Sequence, residues 1–184
     1  MSKSKLRIVQ DYIKFNENKP EGIYLHIDKN NIYEQYALIV GPSNTPYFGG
    51  YYIFKINYPK NYPKKPPSVV MLTTDKNVRF NPNLYECGKV CLSILGTWNG
   101  PSWNEVMNIK LVLLSIQSLM TEFPVRNEPG FEDTKIDNIK SVDYNHYINY
   151  YNYKIAIIDI LNKVEMFKNN KKKIGHIEYF IEPI

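Results

Sequence analysis

Over residues 3–18 the apolar positions recur at helical spacing. Leu6, Val9 and Ile13 lie on one line, and Ile8, Tyr12 and Phe15 on another. The pattern predicts an amphipathic helix that Asn18-Lys19-Pro20 brings to a stop. The period then changes. Residues 22–28 (GIYLHID), 33–40 (YEQYALIV), 50–57 (GYYIFKIN) and 68–73 (SVVMLT) are short runs rich in β-branched and aromatic residues. Turn chemistry separates them: Asp28-Lys29-Asn30-Asn31, then Gly41-Pro42, then a proline-dense link. No helical stretch intervenes, so the strands are expected to form an antiparallel meander rather than a doubly wound parallel sheet.

Residues 74–104 show no sustained period and contain Pro82, Gly88, Gly96, Gly100 and Pro101. Irregular segments of this length inside a compact domain are uncommon and usually functional. Helical spacing returns over 105–121, where Val106, Ile109, Val112, Leu113, Ile116, Leu119 and Met120 make a wide apolar face. A loop follows at 122–133. Residues 144–167 then read as a helix whose stripe is Ile148, Tyr151, Ile155, Ile158, Leu161 and Val164. Residues 174–184 carry no clear pattern. The order of helix, four strands, long loop and further helices defines an α+β class. The expected organisation is one domain, with 1–133 as its core and 134–184 as a C-terminal helical extension.

Composition narrows the function. Hydrophobic residues at 43% and charged residues at 22% exclude a wholly disordered chain. A net charge of +5 says little by itself. The run Lys168-Asn169-Asn170-Lys171-Lys172-Lys173 is read as a solvated loop or helix end, so neither nucleic acid nor membrane is expected as a partner. No apolar stretch is long enough to span a bilayer. Met1-Ser2-Lys3-Ser4-Lys5 precedes no apolar signal region, which gives the expectation of a cytoplasmic chain, with the nucleus as a second compartment.

Both cysteines, Cys87 and Cys91, and both tryptophans lie in the irregular segment. Two cysteines do not make a disulfide framework, and His26, His146 and His176 lack metal-ligand spacing. Cys91 sits in Gly88-Lys89-Val90-Cys91-Leu92, where the apolar neighbours could pin the backbone while the thiol points outward. A buried structural thiol is an equally open reading. No local protease motif surrounds it. Acyl transfer between a thioester and an amine needs no strong base, only positioning and oxyanion stabilisation. The side-chain amide of Asn83, in Asn81-Pro82-Asn83, could supply that donor; a plain polar turn is the alternative.

Asn81-Pro82-Asn83-Leu84-Tyr85 followed by Gly88-Lys89-Val90-Cys91-Leu92 resembles the active-site motif of ubiquitin-conjugating enzymes. Gly41-Pro42, Thr45-Pro46-Tyr47, Gly49-Gly50, Tyr58-Pro59, Tyr62-Pro63, Pro66-Pro67 and Trp103 resemble the family's flanking motifs in the same order. Arg79-Phe80-Asn81, Ser93-Ile94-Leu95-Gly96-Thr97-Trp98 and Asn127-Glu128-Pro129-Gly130-Phe131-Glu132 are similar to the Z-type branch. The resemblance implies a UBC fold whose core domain is 1–133. It implies that Cys91 carries ubiquitin or a ubiquitin-like modifier as a thioester, and that Asn83 stabilises the oxyanion or holds the loop. Asn127 and Glu128 fall on the side of the incoming amine. No cofactor is implied at the site; ATP and magnesium belong to the activating enzyme. The implied partners are that enzyme, which would use the first helix with Lys3, Lys5 and Arg7, and a ligase, which would use the same helix, 62–65 and 98–106. Lys64 stands where a Phe favours HECT-type ligases, which points to a RING type. The usual His of the motif is Asn81, and the usual Asp two residues after the cysteine is Ser93.

Overall fold

The computed structural model describes residues 2–28, 30–170 and 176–181. Helix α1 (Lys3–Glu17) begins where Ser2, in an extended conformation, accepts a hydrogen bond from the Lys5 amide. Its buried line is Ser4, Ile8, Asp11 and Phe15, while Leu6 and Ile13 remain about half exposed. The core therefore takes the second of the two apolar lines.

Strands β1 (Ile23–Ile27), β2 (Glu34–Val40), β3 (Tyr51–Asn57) and β4 (Ser68–Met71) pair antiparallel in chain order, the predicted meander. Two-residue alternation sends Ile23, Leu25, Ala37, Ile39, Tyr52, Phe54 and Ile56 to one face. There they pack with Ile8 and Phe15 of α1 and with Ile109, Val112, Leu113 and Ile116 of α2 (Ile109–Gln117). Helix α2 is shorter than the predicted 105–121. Its cap is Asn108, whose side chain accepts from the Leu111 amide, while Asn104 closes a turn onto the Val106 amide. Val106 is consequently 83% exposed instead of lying on the apolar face.

The C-terminal helix departs most from the sequence pattern. Helix α3 (Ile139–Tyr151) starts earlier than expected, capped by Asn138, and runs through a π-helical stretch (Asn152–Asp159) into α4 (Ile160–Asn170). A π turn is wider than an α turn, so the inward face slips in phase. Ile148, Asn152, Ile155, Ala156, Ile160 and Phe167 are buried, whereas Ile158 and Leu161 are half exposed. Ile148, Ile155 and Ala156 join the main core. Ile160 and Ile177 cover Leu38 and Ile53 on the opposite face of the sheet. On that face Tyr179, from the short helix α5 (Glu178–Ile181), stacks on His26 at 4.5 Å and Tyr36 at 4.7 Å. Of the lysine run, Lys171, Lys172 and Lys173 lie outside the described residues.

Asn152 fastens the helix to the sheet. Its side-chain oxygen accepts from Tyr52 Oη at 2.7 Å and its nitrogen donates to the Phe48 carbonyl at 3.0 Å. A Cβ on Gly50 would lie 1.9 Å from that oxygen, so the residue there must be glycine for the contact to form. Asn152→Ala removes the acceptor of a buried phenol. The expected cost is about 1–3 kcal/mol, read as a lower urea midpoint at unchanged slope.

Candidate active site

The segment after β4 folds back on itself. The Leu84 amide donates to the Asn81 carbonyl at 2.8 Å and the Gly88 amide to the Tyr85 carbonyl at 2.9 Å, making two successive turns. Gly88 has φ +86°, and a Cβ there would stand 2.5 Å from the Met71 carbonyl. Glycine lets this hairpin dock on the end of β4, where the Met71 amide donates to the Gly88 carbonyl at 2.8 Å.

The docking brings Asn83 and Cys91 side by side. The Cys91 amide donates to the Asn83 carbonyl at 2.9 Å, and the Asn83 side-chain nitrogen donates to the Cys91 carbonyl, also at 2.9 Å. Cys91 is 1% exposed, and Cys87 in the preceding turn is exposed. Burial pushes the Cys91 thiol above its ordinary range, with Lys89 and Arg79 drawing it partly back. At rest, then, Cys91 offers little surface to solvent.

Asn81 is fully buried and braces this turn with four hydrogen bonds. Its nitrogen donates to Tyr47 Oη at 3.0 Å and to the Leu119 carbonyl at 2.8 Å. Its oxygen accepts from the Asn83 amide at 2.9 Å and from the Asn127 side chain at 3.2 Å. Tyr47 in turn donates to the Phe80 carbonyl at 2.7 Å. Gly41 lets the Tyr47 backbone come close, since a Cβ there would meet the Tyr47 carbonyl oxygen at 1.7 Å. The early Gly-Pro and Thr-Pro-Tyr motifs thus hold the floor beneath Asn81.

Of the two remaining candidates, Asn127 ends a short 3-10 turn, Pro124–Asn127, and Glu128 follows it in an extended conformation. Asn127 is spent on Asn81 and on the Leu119 carbonyl at 3.0 Å. Glu128 makes an ion pair with Arg79 at 3.2 Å. Sequence reasoning gave no role to Arg79, Tyr47 or the Asn127–Asn81 contact. Only the quoted motifs contained them, and no spacing rule links residues so far apart in the chain.

A second polar chain ties the far side of the long loop to α1. Arg7 pairs with the buried Asp11 at 2.8 Å and donates to the carbonyls of Glu105 and Met107. Asp11 accepts from Tyr62 Oη at 2.6 Å. Trp103 packs against Tyr62 and donates through its indole nitrogen to the Pro63 carbonyl at 2.6 Å. Thr97 fixes the start of the loop by donating to the Val90 carbonyl at 2.8 Å. Trp98 and Val106 stay exposed along it.

Comparison with known proteins gives one family: residues 7–151 match the family profile described as ubiquitin-conjugating enzyme. Among similar proteins, ubiquitin-conjugating enzyme E2 Z of Danio rerio is 46% identical over 157 residues, 85% of this chain and 48% of the relative. The human E2 Z is likewise 46% identical over 85% of this chain and 44% of its own length. The human dual E2 ubiquitin-conjugating enzyme/E3 ubiquitin-protein ligase BIRC6 is 39% identical over 70% of this chain but only 3% of its own. The chain spans about half the length of the E2 Z relatives it matches.

Proposed function

The chain belongs to the ubiquitin-conjugating enzyme family, and from this premise we propose that it accepts ubiquitin from an activating enzyme as a thioester on Cys91 and passes it to a lysine, directly or through a ligase. The observation that carries the reading is the reciprocal pairing of Asn83 and Cys91, two hydrogen bonds of 2.9 Å that keep an amide donor beside the nucleophile. The Cys91 thiolate attacks the incoming thioester carbonyl, and collapse of the tetrahedral intermediate releases the activating enzyme's thiolate. A neutral lysine amine then attacks the new thioester; the ammonium formed in the tetrahedral intermediate gives its proton to solvent water, and Cys91 leaves as thiolate as the amide forms. In that second step the Asn83 amide turns from the Cys91 carbonyl to the developing oxyanion. Glu128 receives the amine, and Asn127 holds the turn through Asn81.

No cofactor acts at Cys91 in this scheme; the activating enzyme spends ATP and magnesium. The ligase surface is α1, residues 62–65 and the loop 98–106, which the Arg7–Asp11–Tyr62 chain and Trp103 hold as one piece. Lys64 in place of an apolar residue favours a RING partner over a HECT partner. Nucleic acid and membrane have no part in the scheme, which operates in the cytoplasm or nucleus.

The test is a charging reaction with ubiquitin, ATP, magnesium and each known kind of ubiquitin-activating enzyme. The expected product is a single-ubiquitin shift on a non-reducing gel that reductant abolishes. Charging by another ubiquitin-like modifier but not by ubiquitin would overturn the choice of modifier and leave the chemistry in place.

A further inference from the structure

Arg79 lies at the meeting point of the active-site turn and the segment that carries Glu128. One guanidinium nitrogen, Nη2, donates both to the Pro82 carbonyl and to Glu128 Oε2, the latter at 3.2 Å. Pro82 is the middle residue of Asn81-Pro82-Asn83, so a single nitrogen bridges the turn that presents Asn83 and the carboxylate proposed to meet the amine. The guanidinium plane also sits over the Tyr85 ring, 4.3 Å from its centroid. The main chain of Arg79 is held from the other side, where Tyr144 Oη of α3 donates to its carbonyl at 3.4 Å. The residue is thus anchored by the hairpin, by the Glu128 turn and by the C-terminal helix.

Stability alone does not account for this arrangement. The Arg79 and Glu128 side chains are 35% and 39% exposed, a setting in which an ion pair adds little to folding. Nε of Arg79 is buried with no hydrogen-bond partner among the described residues. A buried, unanswered donor costs folding free energy, so the fold retains a guanidinium here at some expense. The geometry explains what is obtained in return. An unpaired carboxylate on a loop has several rotamers, whereas one tied to the nitrogen that also binds Pro82 keeps a fixed relation to Asn83 and Cys91.

We propose that Arg79 is a positioning residue for aminolysis: it sets Glu128 at the edge of the Cys91 site so that the carboxylate meets the incoming lysine in a single orientation. The role rests on the reading of Cys91 as a thioester carrier. It predicts that Arg79 acts through Glu128 and not beside it. It also predicts that the effect falls on the acceptor step, because charging needs no amine.

The experiment is a double-mutant cycle on the full chain, with Arg79→Ala, Glu128→Gln and the pair, each charged with ubiquitin and then discharged to free lysine over a range of lysine concentrations. Arg79→Ala should slow discharge about tenfold, chiefly as a higher apparent KM for lysine, while charging falls by no more than about twofold. Glu128→Gln should do much the same, and the double variant should be no more than about twofold worse than either. Arg79→Lys keeps a cationic nitrogen able to serve both oxygens and should fall between the wild type and Arg79→Ala. Additive losses in the cycle, or a fall in kcat for lysine together with charging and thermal midpoint, would overturn the role, since that is how a merely structural residue behaves. Absence of any thioester on the wild-type chain would overturn the function and this role with it. A normal thioester whose discharge ignores Arg79 would overturn the role alone.

Discussion

Cys91→Ser should form an adduct with ubiquitin that resists reductant and appears slowly, and Cys91→Ala should form none. The serine keeps the size of the side chain in a site that is 1% exposed, so packing around it changes little. What changes is the nucleophile. A hydroxyl loses its proton far less readily than a thiol, and the resulting oxyester is less activated than a thioester. The pH dependence follows from burial, the main cause of the raised Cys91 pKa. The protonated thiol is inert, so the reactive fraction should climb about tenfold per pH unit until the thiol titrates. Alkylation by iodoacetamide should therefore accelerate at Cys91 as the solution is made more alkaline. The exposed Cys87 should be labelled first at neutral pH. Mass spectrometry of the two peptides reads both rates. A reductant-sensitive adduct persisting in Cys91→Ser would move the nucleophile to Cys87.

Asn83→Ala should slow discharge to lysine by about a hundredfold, the scale on which loss of one oxyanion donor is felt. Two effects combine. The oxyanion loses its donor, and the Cys91 carbonyl loses the bond that squares Asn83 against it, at about 1 kcal/mol. Charging should suffer much less, because the Asn83 amide is assigned to the oxyanion of the aminolysis step. Asn83→Asp should be worse than Asn83→Ala, since an ionised carboxylate only accepts hydrogen bonds and would repel the developing negative charge. Single-turnover assays that separate charging from discharge decide the matter. A variant impaired in charging alone would remove the oxyanion role from Asn83.

The parts of this fold that the sequence announces are those with a short period and a clear stop. The four strands fall within a few residues of their predicted limits, because alternation and turn residues are local properties. Helix α1 ends before Asn18-Lys19-Pro20 for the same kind of reason. Failures occur where one element takes its geometry from another. The buried stripe beyond Ile155 cannot be read with a helical period of 3.6, because the π-helical stretch changes that period without any marker residue. Val106 has the spacing of α2, yet two asparagine turns place it outside the helix. The local pattern leaves an outward and a buried Cys91 equally open. The structure buries it and ties its main chain to Asn83 through the folded-back hairpin, contacts made in three dimensions. Asn83 and Cys91 were legible as a pair through their motif. Arg79 was not, because its importance lies in bridging Pro82 and Glu128, which are distant in the chain.

The chain has two tryptophans and 16 tyrosines, and both indoles lie within the loop that begins at Trp98. Trp103 is hydrogen-bonded to the Pro63 carbonyl and packed on Tyr62, whereas Trp98 faces solvent. The intrinsic fluorescence of this protein is therefore a local signal. Excitation at the red edge, where tyrosine does not absorb, reports this loop and nothing else in the molecule. The two indoles start from different polarity, so covering the loop should shift Trp98 to the blue while a rupture of the Trp103 anchor should shift its emission to the red. A label-free optical readout of which end of the loop responds to a partner is thus already present in the native chain.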